Sequence, residues 1–296
     1  VHHRTLPTRR IGDRTVSALG LGGMPLSIEG RPDTAQSVAT IHAALDAGVT
    51  LIDTADAYHR DTREVGHNEE LIARALREYG PGADDVLVAT KGGHLRPGDG
   101  SWTKNGRPEY LKEAAKASAQ RLGVEAIGLY QFHRPDPEVP YEDSIGAIRE
   151  LLDEGVIALA GISNANIEQI ETADAILGGR LASVQNQFSP RFRSSEEELR
   201  HCAAKSIAFL PWSPLGGIAR AGELARDHAA FAEVAAELEV SVYQVTLAWE
   251  LALAPVVVPI PGASRAASIQ DSAQAAHLQL TEDQMNRLSA TTSGEK

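Results

Sequence analysis

"VTLIDTADAY" (49–58) and "DVLVATK" (85–91) are separated by the amphipathic stretch "NEELIARALREYG" (68–80). Each flanking run is apolar until its last residues and then ends in ionisable groups. Leu51 and Ile52 are adjacent apolar residues, without in–out alternation. That is the pattern of a strand covered on both faces, as in parallel sheets. Asp53, Asp56 and Tyr58 fall where the strand leaves the core.

The same unit repeats in both directions. Upstream, "VSALGLGGM" (16–24) reads as a strand and "DTAQSVATIHAALDAG" (33–48) as a helix, with Asp33 as N-cap and Gly48 as stop. Downstream, "RPEYLKEAAKASAQRLG" (107–123) has proline in its first turn and a terminal glycine, the asymmetry of a helix. Strands follow at "IGLYQFH" (127–133), "IALAGIS" (157–163), "LASVQNQ" (181–187), "IAFLPWS" (207–213) and "PVVVPIPG" (255–262), each followed by a helical stretch. Ser195 with Glu198, and Thr281 with Gln284, have capping-box spacing. The stretch 228–253 reads as two helices broken near Val240 and Ser241.

Eight strand–helix units in about 250 residues match a (β/α)8 TIM barrel. A doubly wound sheet would need a G-x-G-x-x-G loop after its first strand. "GLGGM" has glycine only at 20, 22 and 23. Gly12-Asp13, between short β-prone runs, predicts an N-terminal β-hairpin closing the barrel floor. The whole chain, 1–296, reads as one barrel domain.

Bulk properties narrow the function classes. The 296 residues are 43% hydrophobic, enough for a large core. A net charge of −12 argues against broad nucleic-acid binding. The lone Cys202 permits no internal disulfide, which is compatible with a cytoplasmic protein. No membrane span and no secretory leader are expected. No apolar surface stripe stands out, which favours a monomer.

Active sites of such barrels lie at the C-terminal ends of the strands. Asp53 and Tyr58 follow the second strand, Lys91 ends the third and His133 the fourth. Ser163 and Asn164 end the fifth, Gln185 the sixth, and Trp212 and Ser213 the seventh. Any one of these has an ordinary structural reading as a cap, a turn residue or a solvated charge. Four ionisable types at three consecutive strand mouths converge in space and point to catalysis. Asp56 reads as a loop hydrogen-bonding residue.

Here the chain resembles the aldo-keto reductase family. "DTADAY" carries the five-residue Asp–Tyr separation of that family's Asp, Tyr, Lys and His tetrad. "NEELIARAL", "GISN", "QNQFS", "WSPLGGI" and "IPGASR" follow in family order. The resemblance implies hydride transfer from a nicotinamide to an aldehyde or ketone carbonyl. Tyr58 would give the proton, Lys91 would lower its pKa, Asp53 would hold Lys91, and His133 would orient the carbonyl oxygen.

The resemblance also implies NADP(H) binding in preference to NAD(H). Ser163, Asn164 and Gln185 match the carboxamide contacts, and Trp212 the ring that stacks on the nicotinamide. Gly23, Met24 and Asp53 border the same site. Ser213, Pro214, Leu215 and Gly217 match the pyrophosphate loop. Gly262, Ser264 and Arg265 open the adenosine end, where Arg265 suits a 2'-phosphate. Asp271 and Ser272 stand where relatives carry a longer acid and an asparagine against adenine. Met24, Tyr58, His94, Trp102 and His133 border the substrate pocket, and "PWSPLGGIARAGEL" (211–224) supplies a further lid. The partner is a small carbonyl compound, and no metal is expected.

Rival readings are a dinucleotide-binding sensor or regulatory subunit without turnover, an aldolase-type barrel with a Schiff-base Lys91, and a metal-dependent barrel.

Overall fold

The computed structural model describes residues 5–217 and 221–290. The chain starts with an antiparallel hairpin, β1 (Thr8–Ile11) and β2 (Arg14–Ser17), around Gly12-Asp13. Gly12 has φ +58, and a Cβ there would lie 2.9 Å from Leu159 of the barrel wall. A larger residue there would be strained and would have to push the Leu159 side chain aside. Ile11 and Val16 of the hairpin join Leu51, Leu87, Leu129, Ala208 and Val258 in one buried cluster. The hairpin therefore plugs the barrel floor.

Parallel strands β3 (Leu21–Gly22), β4 (Leu51–Asp53) and β5 (Leu87–Gly92) follow. A two-strand ribbon, β6 (His94–Leu95) and β7 (Thr103–Lys104), rises above them. The sheet continues through β8 (Ile127–Phe132), β9 (Ile157–Ser163), β10 (Leu181–Gln185) and β11 (Ala208–Phe209). The seven barrel strands lie in the order β11-β10-β9-β8-β5-β4-β3.

Residues 256–262 seal the seam between β11 and β3. Phe209 N–H donates to Val256 O at 2.9 Å, and Gly20 and Gly22 N–H donate to Pro259 O and Pro261 O at 2.9 Å each. Val258 and Ile260 N–H donate towards β11, to Phe209 O and Pro211 O, whereas Pro259 and Pro261 have no N–H to return towards Gly20 and Gly22, so this eighth strand meets β3 in a bridge at Gly262 and β11 in one at Val257. Pro211 likewise cuts the expected strand 207–213 to β11 plus a bridge at Trp212. The expected first strand also divides. Val16 and Ser17 belong to the hairpin, because Val16 must cover the floor, and only Leu21–Gly22 enters the sheet.

Helices α1 (Thr34–Asp46), α2 (His67–Tyr79), α3 (Pro108–Leu122), α4 (Tyr141–Asp153), α5 (Ile167–Ile176) and α6 (Glu196–Lys205) surround the strands. After β11 come the short α7 (Leu224–Asp227), then α8 (Ala229–Leu238), α9 (Val242–Leu253), α10 (Ala266–Gln274) and α11 (Glu282–Ser289). Asp33 caps α1 by accepting from Gln36 N, and Thr281 with Gln284 forms a full capping box on α11. The break between α8 and α9 falls at 239–241, where Ser241 caps α9. The box expected at Ser195 does not form. Its ψ of 16° leaves the extended region from which an N-cap oxygen reaches the third N–H. Among the described residues no helix is long and apolar enough to cross a membrane.

Side chains alternate along a strand, so residues two apart share a face. Leu51 with Asp53, Leu87 and Ala89 with Lys91, and Leu129 with Gln131 therefore point into the barrel. The lower layers are apolar and buried. The top layer is ionisable.

Candidate active site

Lys91 is fully buried, and its Nζ lies 2.5 Å from Asp53 Oδ1. It also donates to Thr54 O at 2.8 Å and to the Tyr58 hydroxyl at 3.0 Å. The second carboxylate oxygen of Asp53 accepts from Gln185 Nε2 at 2.8 Å and from Gln131 Nε2 at 3.3 Å. The His133 ring stands edge-on to Tyr58, with centroids 6.0 Å apart. The four expected tetrad residues thus meet at one point. Gln131 supports them and escaped the sequence reading. Its only signal was its position two residues before His133, on the inward face of the same strand.

Burial works against the Lys91 ammonium, but Asp53 and the Tyr58 oxygen outweigh it and hold its pKa above the ordinary value. A Schiff-base lysine needs a free amine, so the aldolase-type reading loses its nucleophile. For Tyr58 the outcome differs from the expected lowering. Burial raises the phenol, and the opposing pull of Lys91 does not fully offset it. Tyr58 is therefore fully protonated at neutral pH. Burial also pushes His133 well below its ordinary value, with Lys91, His94 and Arg134 adding to the effect. Its imidazole is neutral, and Nδ1 is buried with no hydrogen-bond partner among the described residues.

Asp56 was expected to hydrogen-bond its loop, and Gly66 N–H donates to Asp56 O at 2.9 Å. The carboxyl group is buried, and its Oδ1 has no hydrogen-bond partner among the described residues. Burial and then the Glu69 charge raise its pKa well above the ordinary range.

The tetrad opens into a pocket of 480 Å³. Asn164, at the end of β9, adopts φ +56, a left-handed backbone uncommon outside glycine. From there its Nδ2 donates to His133 O and to Ser163 Oγ at 3.0 Å each. Its Oδ1 accepts from Trp212 Nε1 at 3.2 Å, which fixes the plane of the indole. Ser163 Oγ donates to Gln185 O at 2.7 Å. Ser213 is also left-handed, at φ +51, and starts the turn through Pro214, Leu215 and Gly217 along the pocket wall. Met24 also lines the pocket. His94 and Trp102 stack at 4.6 Å, and the Arg96 guanidinium sits 4.7 Å over the indole. Arg96 is itself held by Glu29 at 2.7 Å and by His59 O at 2.6 Å. The Trp102 ring is therefore contacted both by His94 and by an anchored Arg96 guanidinium.

Not every expected cofactor residue borders this pocket. Gly23 is off the pocket lining, and Gly22 takes its place. Gly23 instead permits a close approach behind Asp53, since a Cβ there would fall 2.5 Å from Asn68 Oδ1. Gly262 borders the pocket, whereas Ser264, Arg265, Asp271 and Ser272 lie outside its lining. Both Asp271 oxygens are engaged, with Ser241 Oγ at 2.6 Å and Gln244 Nε2 at 2.7 Å, joining α10 to the start of α9. Ser272 is buried. The expected lid at 211–224 includes residues 218–220, which lie outside the described residues; Ala221 lines the pocket. Lys104 and Arg134 also line it and carried no sequence signal. Among the described residues no group of three or more His, Cys, Asp or Glu could hold a metal ion.

Comparison with known proteins agrees with this geometry. The chain is 33% identical over 285 residues to an uncharacterized oxidoreductase, C215.11c, of Schizosaccharomyces pombe, covering 95% of this chain and 88% of that protein. The thermostable aldo-keto reductase Tm1743, solved with an inhibitor, superposes with a TM-score of 0.83 at 26% identity, covering 97% of this chain and 100% of that one. An aldo-keto reductase from Klebsiella pneumoniae, solved with NADPH, gives a TM-score of 0.80 at 25% identity, covering 99% and 97%. The model of the aldo/keto reductase family matches residues 18–292, and the chain belongs to that family.

Proposed function

We propose that this protein reduces an aldehyde or ketone with NADPH, and that Tyr58 is the general acid. The observation that carries the reading is the buried Asp53–Lys91–Tyr58 chain, with contacts of 2.5 and 3.0 Å, at the base of the pocket.

When bound, the reduced nicotinamide supplies a hydride to the carbonyl carbon. Ser163, Asn164 and Gln185 would hold its carboxamide, and the Trp212 ring would cover one face. Ser213, Pro214, Leu215 and Gly217 would follow the pyrophosphate. Gly262, Ser264 and Arg265 would meet the adenosine end. Two observations fit such a ligand. The indole plane is set in advance by Asn164. Arg265 stands at the N-cap position of α10 and makes no side-chain cap bond, which suits an anion at the helix's first N–H groups. The engaged Asp271 and the buried Ser272 are not part of this proposal. The NADPH complex of the Klebsiella relative supports the choice of NADP(H).

Neutral His133 would donate to the carbonyl oxygen and aim it at Tyr58. An alkoxide is a much stronger base than a phenolate, so the protonated Tyr58 gives its proton downhill. Lys91 stabilises the phenolate as it forms, and Tyr58 regains a proton from water. Asp53, pinned by Gln185 and Gln131, keeps the ammonium aimed. Positioned acids contribute about 10²–10⁴-fold.

The test is Tyr58→Phe, with NADPH binding followed by tryptophan quenching and turnover by nicotinamide absorbance on a panel of aldehydes. Retained binding with turnover lowered about 10²–10⁴-fold assigns the acid. Unchanged turnover overturns the assignment. A wild-type protein that binds NADPH and reduces no carbonyl overturns the reductase reading in favour of a sensor.

A further inference from the structure

The pocket carries more positive charge than carbonyl reduction requires. Its lining includes Lys104 and Arg134. The Arg134 guanidinium is half-buried and lies 6.0 Å from the Trp212 ring centroid. Its Nε is buried without a hydrogen-bond partner, and no ion pair to it forms among the described residues. Elsewhere this acidic chain pairs arginines freely, as in Arg31–Glu64, Arg96–Glu29 and Arg121–Glu69. The one carboxylate on the described lining is Asp53, and Lys91, Gln185 and Gln131 already occupy it. Partly desolvated guanidinium groups are usually paired.

The charge lies on the substrate side. Lys104 is on β7 and pairs in register with His94, which stacks on Trp102. Arg134 follows His133, whose ring is 4.9 Å from His94. After burial, the charges that push His94 down to about 4 are Arg134, Lys104 and Lys91. A planar guanidinium matches a carboxylate in two-point geometry.

We propose that the substrate is a carbonyl compound bearing a carboxylate, with Arg134 holding the acid group and Lys104 adding attraction at the pocket mouth. This rests on the reductase reading and names the substrate class for that site. With a net charge of −12, the chain as a whole repels anions. Arg134 and Lys104 would reverse that field locally.

The experiment compares matched pairs at low ionic strength: succinic semialdehyde against butanal, and 4-formylbenzoate against its methyl ester. The acids should be preferred by about 10- to 100-fold in kcat/KM, mainly through KM, as expected for one charge-assisted pair. Added salt should shrink the preference. Arg134→Met and Arg134→Gln should bring the acid-to-neutral ratio towards one. Exposed Lys104→Gln should lower it less. A ratio near one in the wild type, or one that survives in both Arg134 variants, overturns the proposal. So does a variant that weakens NADPH binding and keeps the ratio, which would make Arg134 a cofactor residue. Benzoate and benzamide binding to the NADP⁺-loaded protein gives a readout free of turnover. A benzoate preference lost in Arg134→Met upholds the anion site even where no carbonyl is reduced, and then only the reductase reading fails. Equal binding of the two overturns the anion site.

Discussion

Replacing Lys91 by Met removes the ammonium and keeps most of the stem. Contacts of 2.5, 2.8 and 3.0 Å to Asp53, Thr54 and Tyr58 disappear. The Asp53 carboxylate then sits buried with only Gln185 and Gln131 to solvate it. Stranding one charge of a buried pair costs about 3–5 kcal/mol. The escape is to take up a proton. At pH 7 that costs about 1.4 kcal/mol for each of roughly three pH units above the ordinary carboxylate value, or about 4 kcal/mol. The two routes agree at pH 7. At pH 5 the proton route falls to about 1.5 kcal/mol. In the variant the folded state binds the proton more readily than the unfolded chain does, so the penalty is full at neutral pH and shrinks as pH falls. Urea denaturation of wild type and variant should therefore show a gap of about 4 kcal/mol at pH 7 and under about 2 at pH 5. Adding Asp53→Asn removes the stranded charge and should recover most of the loss while leaving turnover abolished. An equal gap at both pH values, or no rescue by Asp53→Asn, would refute the charged-pair account.

His94 has a folded pKa of about 4 against an ordinary 6.5. Between those values the unfolded chain binds a proton that the folded one excludes, so stability drains as pH falls through this window by up to about 3 kcal/mol. His94→Phe keeps the stack on Trp102 and should flatten the decline between pH 6.5 and 4 in urea titrations. Gly66 has φ +83, and a Cβ there would lie 2.0 Å from Arg121 Nε. Gly66→Ala should displace Arg121 from Glu69 and cost about 2–4 kcal/mol, read as a lower Tm. Arg265→Gln should weaken NADPH binding by about tenfold and leave NADH unchanged. Equal effects on both would place Arg265 away from a 2'-phosphate.

The strand–helix rhythm, the hairpin plug and the line of ionisable strand ends were legible in the sequence. They follow from covalent geometry: a period of two along a strand puts Leu51 and Asp53, or Ala89 and Lys91, on one face wherever the strand is placed. Capping at Asp33 and Thr281 is equally local. Other features depend on residues distant in the chain. Asp53 meets Gln185 across 132 positions, and the Asp271 carboxylate turns to Ser241 and Gln244 rather than to a pocket. The prolines that reduce the eighth strand to bridges were visible, but which carbonyls would meet them was not. Tyr58 shows the limit most directly. Its distance from Lys91 agrees with the motif, yet its acidity is set by burial, a sum over every atom that excludes water from the barrel mouth. Arg134 is one more arginine in sequence. Only the packed structure leaves it without a carboxylate partner among the described residues, beside His133 and the pocket, because a charge's environment is a property of the folded volume and not of the neighbouring letters.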